Sequence, residues 1–171
     1  GVVKLLNHYL ETMTRIINKY GGTIDELIGD ASLVLFGAPL PLEQEEARAV
    51  ACAIEMLNAM PDINTWNRTQ SLPEVEMGIG IHTGPLVAGY IGSSLALSYT
   101  VIGDVANTSA RLCGVAAAGQ ILVSEQTLGR LSEKFEYEEL PPAQLKGKGR
   151  PFRIFNVLGR ATAVQVPASV G

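Results

Sequence analysis

Apolar residues recur every three or four positions in three long stretches of the chain, and this spacing predicts three amphipathic helices. The stretches cover residues 2–20, 43–57 and 104–115. Gly21 and Gly22 follow the first stretch and are expected to end it, whereas Asp104 begins the third and is expected to be its N-cap. The segment from Pro61 to Pro73 is polar, so we expect a connecting loop there.

Shorter apolar runs predict the strands that alternate with these helices. They cover residues 23–27, 32–36, 76–82, 85–91, 98–102, 120–124, 135–140, 144–146 and 152–158. The Gly29-Asp30 pair between the first two runs is typical of a tight hairpin. We expect run 85–91 to pair with run 76–82, and Ser124 to cap a short helix that ends near Leu131. The order of elements favours a mixed α+β fold with helices on one face of a largely antiparallel sheet.

Composition narrows the possible functions. The chain has 171 residues, enough for one domain with a substantial core, and its net charge is −4. An acidic balance gives no reason to expect a nucleic-acid partner. No apolar run has the roughly 18 to 20 residues of a membrane span. Cys52 and Cys113 lie in apolar helical stretches without metal-type spacing, so we expect buried, reduced cysteines and no disulfide.

Two of four distinctive polar stretches lie at strand ends. The first is the Gly29-Asp30 turn, which presents a carboxylate outward where a hard cation such as Mg²⁺ is readily bound, although most such turns are only turns. The second is the run from Gly78 to Gly84, whose alternating glycines indicate close approach of another backbone or of a ligand. His82 in this run is interpreted as a structural histidine, because no acidic partner lies near it in sequence.

The other two stretches carry groups suited to phosphate. Asn107 and Arg111 are four residues apart on the third predicted helix and therefore share one face. That face is either a solvated surface or an amide and a guanidinium directed at developing negative charge. The glycines of the Lys146-Gly147-Lys148-Gly149 stretch predict a flexible, cationic loop, but basic glycine loops are common and this signal alone is weak.

Taken together, the four stretches resemble class III adenylyl and guanylyl cyclases, especially the bacterial members. The matching text is GGTIDELIGDASLVLFGAP, MGIGIHTGPLVAGYIGS, YTVIGDVANTSARL and LKGKG. The resemblance implies a ferredoxin-like catalytic domain over residues 1–158. Residues 159–171 are a mixture of small, polar and apolar types, and we expect them to form a mobile tail. It also implies that the domain converts ATP or GTP to a 3′,5′-cyclic nucleotide and pyrophosphate as a head-to-tail homodimer.

The resemblance also implies roles for individual residues. Asp30 resembles the second of two aspartates that hold two divalent metal ions, Mg²⁺ or Mn²⁺. Asn107 resembles the amide that orients the ribose, and Arg111 resembles the arginine that stabilises charge at the α-phosphate. Both are expected from the subunit opposite Asp30. Lys146 resembles the lysine that grips the terminal phosphates.

Glu26 and Thr100 occupy the two positions that read the purine in this family, and they give conflicting indications. An ionised carboxylate at Glu26 accepts hydrogen bonds, as guanine requires, and cannot donate to adenine N1. Thr100 is the partner often found in bacterial adenylyl cyclases. The sequence therefore leaves ATP and GTP as open alternatives.

Two departures from the family pattern leave a second function open. The family's first metal-binding aspartate lies on a central strand ahead of the first helix, which we expect upstream of this sequence. Without that strand, the sheet should have an open gap with unpaired backbone groups. Residues 93–98 carry no cation where many relatives have an arginine that holds pyrophosphate. The alternative is a catalytically inactive, cyclase-like module that binds nucleotide or mediates dimerisation. For either function we expect a cytoplasmic domain with an N-terminal regulatory domain.

Overall fold

The computed structural model describes residues 2–28, 31–38, 41–93, 96–102, 104–131, 135–145, 149 and 151–160, and for some of them, including 25–28, 87–93 and 96–102, only the backbone. The helices are α1 (Val2–Lys19), α2 (Glu45–Thr69), α3 (Asp104–Val115) and α4 (Glu125–Leu128). The strands are β1 (Thr23–Ile28), β2 (Ala31–Leu35), β3 (Ile79–Ile81), β4 (Val87–Ser93), β5 (Ala96–Ile102), β6 (Ile121–Ser124), β7 (Phe135–Ala143) and β8 (Phe152–Arg160). None of the helices in this described part of the chain is long and apolar enough to cross a membrane.

The strands form two hairpins and one four-stranded sheet. β1 pairs antiparallel with β2, as predicted, and β4 pairs antiparallel with β5. The larger sheet has the order β3-β6-β8-β7, in which only the β3–β6 pair is parallel, so the predicted mixed α+β fold with a mostly antiparallel sheet is confirmed. The predicted pairing of β4 with β3 is wrong. β4 pairs with β5 because the short connection between them closes at little entropic cost. β3 pairs with the distant β6.

Helix α2 is much longer than predicted, because it continues through Pro61 to Thr69. A proline inside a helix costs about 3 kcal/mol, since one backbone hydrogen bond is lost and the ring clashes with the preceding turn. Met60 and Ile63 nevertheless lie in a buried cluster with Met13, Ile16, Ile17 and Cys52, which packs α2 against α1. Burial of each large apolar side chain contributes about 1.5 to 3 kcal/mol. The predicted loop over residues 61–73 was therefore wrong up to Thr69, because tertiary packing outweighs the proline.

The polar edge of the α1–α2 contact is closed by one carboxylate. Glu55 of α2 accepts hydrogen bonds from Lys19 Nζ and Tyr20 Oη, each at 2.8 Å. These hydrogen bonds lower the pKa of the Glu55 carboxyl. Just beyond α1, Gly21 adopts a positive φ of 84°, and the Gly22 amide donates to Ile17 O at 3.0 Å. The predicted glycine termination of the first helix is thus confirmed.

Both faces of the four-stranded sheet are covered by helices where β6 runs through its centre. Ile121 and Val123 of β6 pack in one cluster with Ala47, Val50 and Ala53 of α2. Leu122 points to the other face and packs with Leu112 of α3. The expectation that helices lie on one face only is corrected accordingly. Alternation along a fully buried strand does not reveal which neighbour covers each face.

Several boundaries also differ from the predicted ones. Residues 144 and 145 are not in a strand, and Leu145 is buried in the cluster around Leu112 and Leu122. Strand β8 ends at Arg160 rather than at 158, and the remainder of the predicted tail, residues 161–171, lies outside the described residues. The Ser124 cap is confirmed, since its side chain accepts from the Thr127 amide, although α4 ends earlier than expected, at Leu128.

The continuation of α2 beyond Pro61 can be tested by truncating a buried side chain in that part of the helix. Ile63 is 2% exposed, so Ile63→Ala should lower the free energy of unfolding by about 2 to 5 kcal/mol. Asp62 is its exposed neighbour on the same helix, and Asp62→Ala should change the free energy by no more than about 0.5 kcal/mol. Denaturant unfolding measures both. Equal, small effects of the two substitutions would contradict a packed helix at this position.

Candidate functional site

Helix α3 presents Asn107 and Arg111 away from the core. Thr108 and Leu112 of the same helix are fully buried, whereas Asn107 is exposed and Arg111 is partly exposed. The four-residue spacing places the amide and the guanidinium on one side of the helix. This is the pair that the sequence predicted to act together, and the structure leaves it accessible to a bound molecule.

The inner side of α3 rests directly on strand β3 and the segments that flank it. A methyl group added at Gly80 would lie 2.7 Å from Ser109 O and 2.8 Å from Leu112 C, and closer still to the Cys113 amide nitrogen. A methyl group at Gly78 would lie 3.0 Å from Ala117 O. The predicted close approach at the alternating glycines is therefore confirmed. The approaching group is the α3 backbone at Gly80 and the residues just after α3 at Gly78.

The end of β3 is fixed by a buried polar network. His82 Nδ1 lies 2.7 Å from Ser124 Oγ, and the imidazole meets the Phe152 ring edge-on at 5.6 Å. Thr83 Oγ1 and Thr127 Oγ1 are hydrogen-bonded at 2.9 Å. These contacts favour the structural interpretation of His82, because they join β3 to β6 and the start of α4. Thr83 and Thr127 were not singled out from the sequence; the only available signal was the Ser-x-x-Thr spacing of the cap.

The structure treats the remaining predicted site residues unequally. Asp30 and Lys146 lie outside the described residues. Glu26 lies on β1, opposite Leu33 of β2, and Thr100 lies on β5, opposite Gly89 of β4, with only their backbones described. Strands β1 and β5 contact each other, so the two predicted base-reading positions lie on neighbouring strands of different hairpins.

A cavity of about 480 Å³ separates β2 from β3. Among the described residues β2 pairs only with β1, and β3 pairs only with β6, so each has one unpaired edge. The cavity lies between these edges, lined by residues 32–36 and 76–84 together with residues of α1, α2 and α3. The gap expected from the sequence stays a prediction. The cavity between these edges is bounded by the helix that carries Asn107 and Arg111.

Both cysteines line this cavity, in different surroundings. Cys52 of α2 is 2% exposed, and burial raises the pKa of its thiol to about 12. Cys113 of α3 is partly exposed and donates weakly to Gly78 O at 3.5 Å. Neither forms a disulfide, as predicted, although only Cys52 is buried. In the part of the chain described, no group of three or more His, Cys, Asp or Glu residues is placed to hold a metal ion.

Comparison with known proteins identifies one family. Residues 1–157 match the family described as adenylate and guanylate cyclase catalytic domain. The chain is similar in structure to the guanylyl cyclase Cya2 (TM-score 0.85, 38% identity, 96% of this chain and 84% of that one). It is equally similar to the adenylyl cyclase CyaB from P. aeruginosa (TM-score 0.85, 32% identity, 93% and 83%).

Curated relatives are considerably longer than this chain. Adenylate cyclase 1 of Rhizobium meliloti is 28% identical over 165 residues, which cover 95% of this chain and 25% of that protein. Other curated relatives are covered to 28% of their length. The chain thus spans about a quarter of the length of the curated relatives it matches.

The different surroundings of the two cysteines predict a difference in reactivity. At pH 8 the Cys113 thiol should react with a thiol reagent such as Ellman's reagent, because its side chain is partly exposed to solvent. The Cys52 thiol, with its raised pKa, should react at least about 100-fold more slowly. Cys113→Ser and Cys52→Ser assign the two phases. Equal rates, or a faster Cys52, would contradict the described packing around the cavity.

Proposed function

The chain belongs to the family of adenylate and guanylate cyclase catalytic domains, and on that basis we propose that it converts ATP or GTP to 3′,5′-cyclic AMP or GMP and pyrophosphate in intracellular signalling. The observation that carries the proposal is the outward presentation of Asn107 and Arg111 on α3, in a chain that matches the family over residues 1–157. An amide and a guanidinium on one side of a helix can donate hydrogen bonds together to the ribose and phosphates of a nucleotide.

The two side chains of α3 act on different parts of the nucleotide. The Asn107 amide orients the ribose, so that its 3′-hydroxyl faces the α-phosphorus. The Arg111 guanidinium donates hydrogen bonds to the α-phosphate, where negative charge grows as the 3′-oxygen attacks and pyrophosphate leaves. Catalysis of this kind depends on positioning and on stabilisation of charge. Lys146 grips the terminal phosphates.

Base recognition falls to Glu26 and Thr100. The contact between β1 and β5 supports a joint role, because it brings the two strands together. A carboxylate accepts hydrogen bonds from guanine, and a hydroxyl both donates and accepts. ATP and GTP therefore remain alternative substrates, and the equal structural similarity to a guanylyl and an adenylyl cyclase favours neither.

Asp30 suits a divalent cation in ligand type, since carboxylate oxygens are what Mg²⁺ prefers. By the family resemblance, we propose that a second carboxylate lies on an extended segment in the gap between β2 and β3. The two metal ions, when bound, neutralise the triphosphate and acidify the attacking hydroxyl.

We further propose that the active unit is a head-to-tail homodimer. The outward position of Asn107 and Arg111 supports this arrangement, because an interface partner can approach that side of α3. Each site then combines Asp30 of one subunit with Asn107 and Arg111 of the other. We propose a cytoplasmic location and an N-terminal regulatory domain, since this chain spans about a quarter of its curated relatives.

A mixing experiment tests the shared site. In the full natural chain, Asp30→Ala and Arg111→Ala should each abolish formation of cyclic nucleotide from ATP or GTP with Mn²⁺, measured by chromatography of the products. Mixed in equal amounts, they should recover about a quarter of wild-type activity, because half of randomly formed dimers contain one intact site.

Arg130 provides a matched control for this experiment. It is an exposed arginine away from α3, and Arg130→Ala should keep wild-type activity. Mixed inactive variants that recover nothing would contradict the shared site. A folded wild-type dimer that binds nucleotide but forms no cyclic product would instead support the inactive, cyclase-like module, which the absence of a cation in residues 93–98 favours.

Substrate preference is tested by Glu26→Lys. A lysine donates to adenine N1 and repels the guanine N1–H donor, so the substitution should raise the ratio of cyclic AMP to cyclic GMP by at least about tenfold, as one hydrogen bond to a charged group is worth about 1.5 to 3 kcal/mol. Product ratios from equimolar ATP and GTP measure the change, and Glu26→Gln is the uncharged control. An unchanged ratio would show that base recognition rests elsewhere.

A further inference from the structure

The glycines of the segment from Gly78 to Gly84 form a track beneath α3. Gly78 lies against the residues that follow the end of α3, where an added methyl group would be 3.1 Å from Ala116 Cβ. Gly80 lies beneath the middle of α3, and Gly84 lies beneath its first turn, where a methyl group would be 2.6 Å from Val105 Cγ2. The segment therefore runs antiparallel to α3, with a glycine at each of these three positions.

The face of α3 that rests on this track is opposite the face that carries the proposed catalytic side chains. With about 100° of rotation per residue, Val105, Ser109 and Cys113 lie within about 80° of one another around the helix axis. The mean direction of Asn107 and Arg111 is about 180° from that face. If α3 moves away from β3, Asn107 and Arg111 therefore move outward from the sheet by the same distance.

The contacts at Gly80 involve backbone atoms, which cannot rotate away as a side chain can. Non-bonded carbon atoms prefer separations of about 3.5 to 4.0 Å. A methyl group at Gly80 would meet Ser109 O at 2.7 Å and Leu112 C at 2.8 Å, so α3 would have to move outward by about 1 Å. Neither Gly78 nor Gly80 has a positive φ, so the requirement for glycine here is one of space.

We propose that Gly80 is a positioning residue for the cyclase reaction: its missing side chain sets the height of α3 above β3 and thereby the placement of Asn107 and Arg111. The effect of Gly80 on the reaction rests on the proposed function, whereas its effect on the position of α3 rests on the described packing alone. It also explains why a glycine interrupts strand β3, where it weakens the sheet.

Three glycine-to-alanine substitutions in the full natural chain form a graded test. Gly80→Ala should lower kcat by about 100-fold and leave KM for the nucleotide within about twofold, because an error of 1 Å in position affects the reacting geometry more than it affects binding. Gly78→Ala, whose methyl group would be 3.0 to 3.2 Å from its neighbours, should lower kcat by a smaller factor. Gly114→Ala lies on α3 itself, with no atom within 4 Å of the added methyl group, and should leave kcat unchanged.

Mixing distinguishes a positioning role from a general loss of stability. Gly80→Ala acts through α3 of its own subunit, so it should recover activity when mixed with Asp30→Ala and not when mixed with Arg111→Ala. Recovery with both partners or with neither would overturn the proposal, as would a wild-type kcat for Gly80→Ala. If Gly80→Ala does not fold, the same mixing and the kcat–KM comparison are made with Gly78→Ala, and a wild-type kcat for that variant overturns the proposal.

A direct measurement separates this inference from the proposed function. Hydrogen exchange of the α3 amides should be faster in Gly80→Ala than in the wild-type protein, whether or not the wild-type protein forms a cyclic nucleotide. If the wild-type protein is inactive but the α3 amides exchange faster in Gly80→Ala, the proposed function is refuted and the packing role of Gly80 is kept. An active wild-type protein whose α3 amides exchange as fast as those of Gly80→Ala would refute the positioning role of Gly80 and keep the proposed function.

Discussion

The close packing of α3 on β3 is the constraint on which the arrangement of the candidate site depends. At Gly80 there is no room for a side chain between the strand and the helix backbone, and at Gly78 an added methyl group would meet its neighbours at 3.0 to 3.2 Å, a less severe contact. This contact joins the four-stranded sheet to the helix that carries Asn107 and Arg111. The polar network of His82, Ser124 and Thr127 fixes the next residues of the same segment, so the strand beneath α3 is held at its carboxyl end as well.

Much of the local structure was predictable from the sequence, because local physics decides it. The periodicity of α3 gave both its bounds, and the Gly29-Asp30 pair identified the β1–β2 hairpin from turn chemistry. The alternating glycines indicated a close approach and left open whether a ligand or a backbone was responsible. Where the outcome depends on distant partners, the sequence failed. Pro61 indicated the end of a helix, but packing of Ile63 against α1 keeps the helix intact. The pairing of β3 with β6 could not be read from either strand alone.

The candidate site was predictable to a different extent. Its chemistry followed from the motif resemblance, and the family membership is confirmed by the match over residues 1–157. Asn107 and Arg111 are found on one accessible side of α3, as their spacing predicted. The roles of Asp30, Lys146, Glu26 and Thr100 remain predictions, since periodicity places a residue on an element and cannot place its side chain. A site shared between two subunits also cannot be recognised from the hydrophobic pattern of one chain, because its residues are not buried within either subunit alone.

The parallel pairing of β3 with β6 has a consequence for the order in which the domain assembles. The two hairpins close short loops, whereas β3 and β6 are separated by the whole β4–β5 hairpin and α3. Contacts between residues far apart in sequence form late, because closing the long intervening segment costs conformational entropy before the contact energy is gained. Helix α3 packs on β3 at Gly80, and its Leu112 packs on Leu122 of β6. Both strands must therefore be in place before α3 reaches its final position. A refolding chain should therefore acquire both hairpins and most of its helix before Asn107 and Arg111 are fixed, so catalytic competence would be a late step in folding.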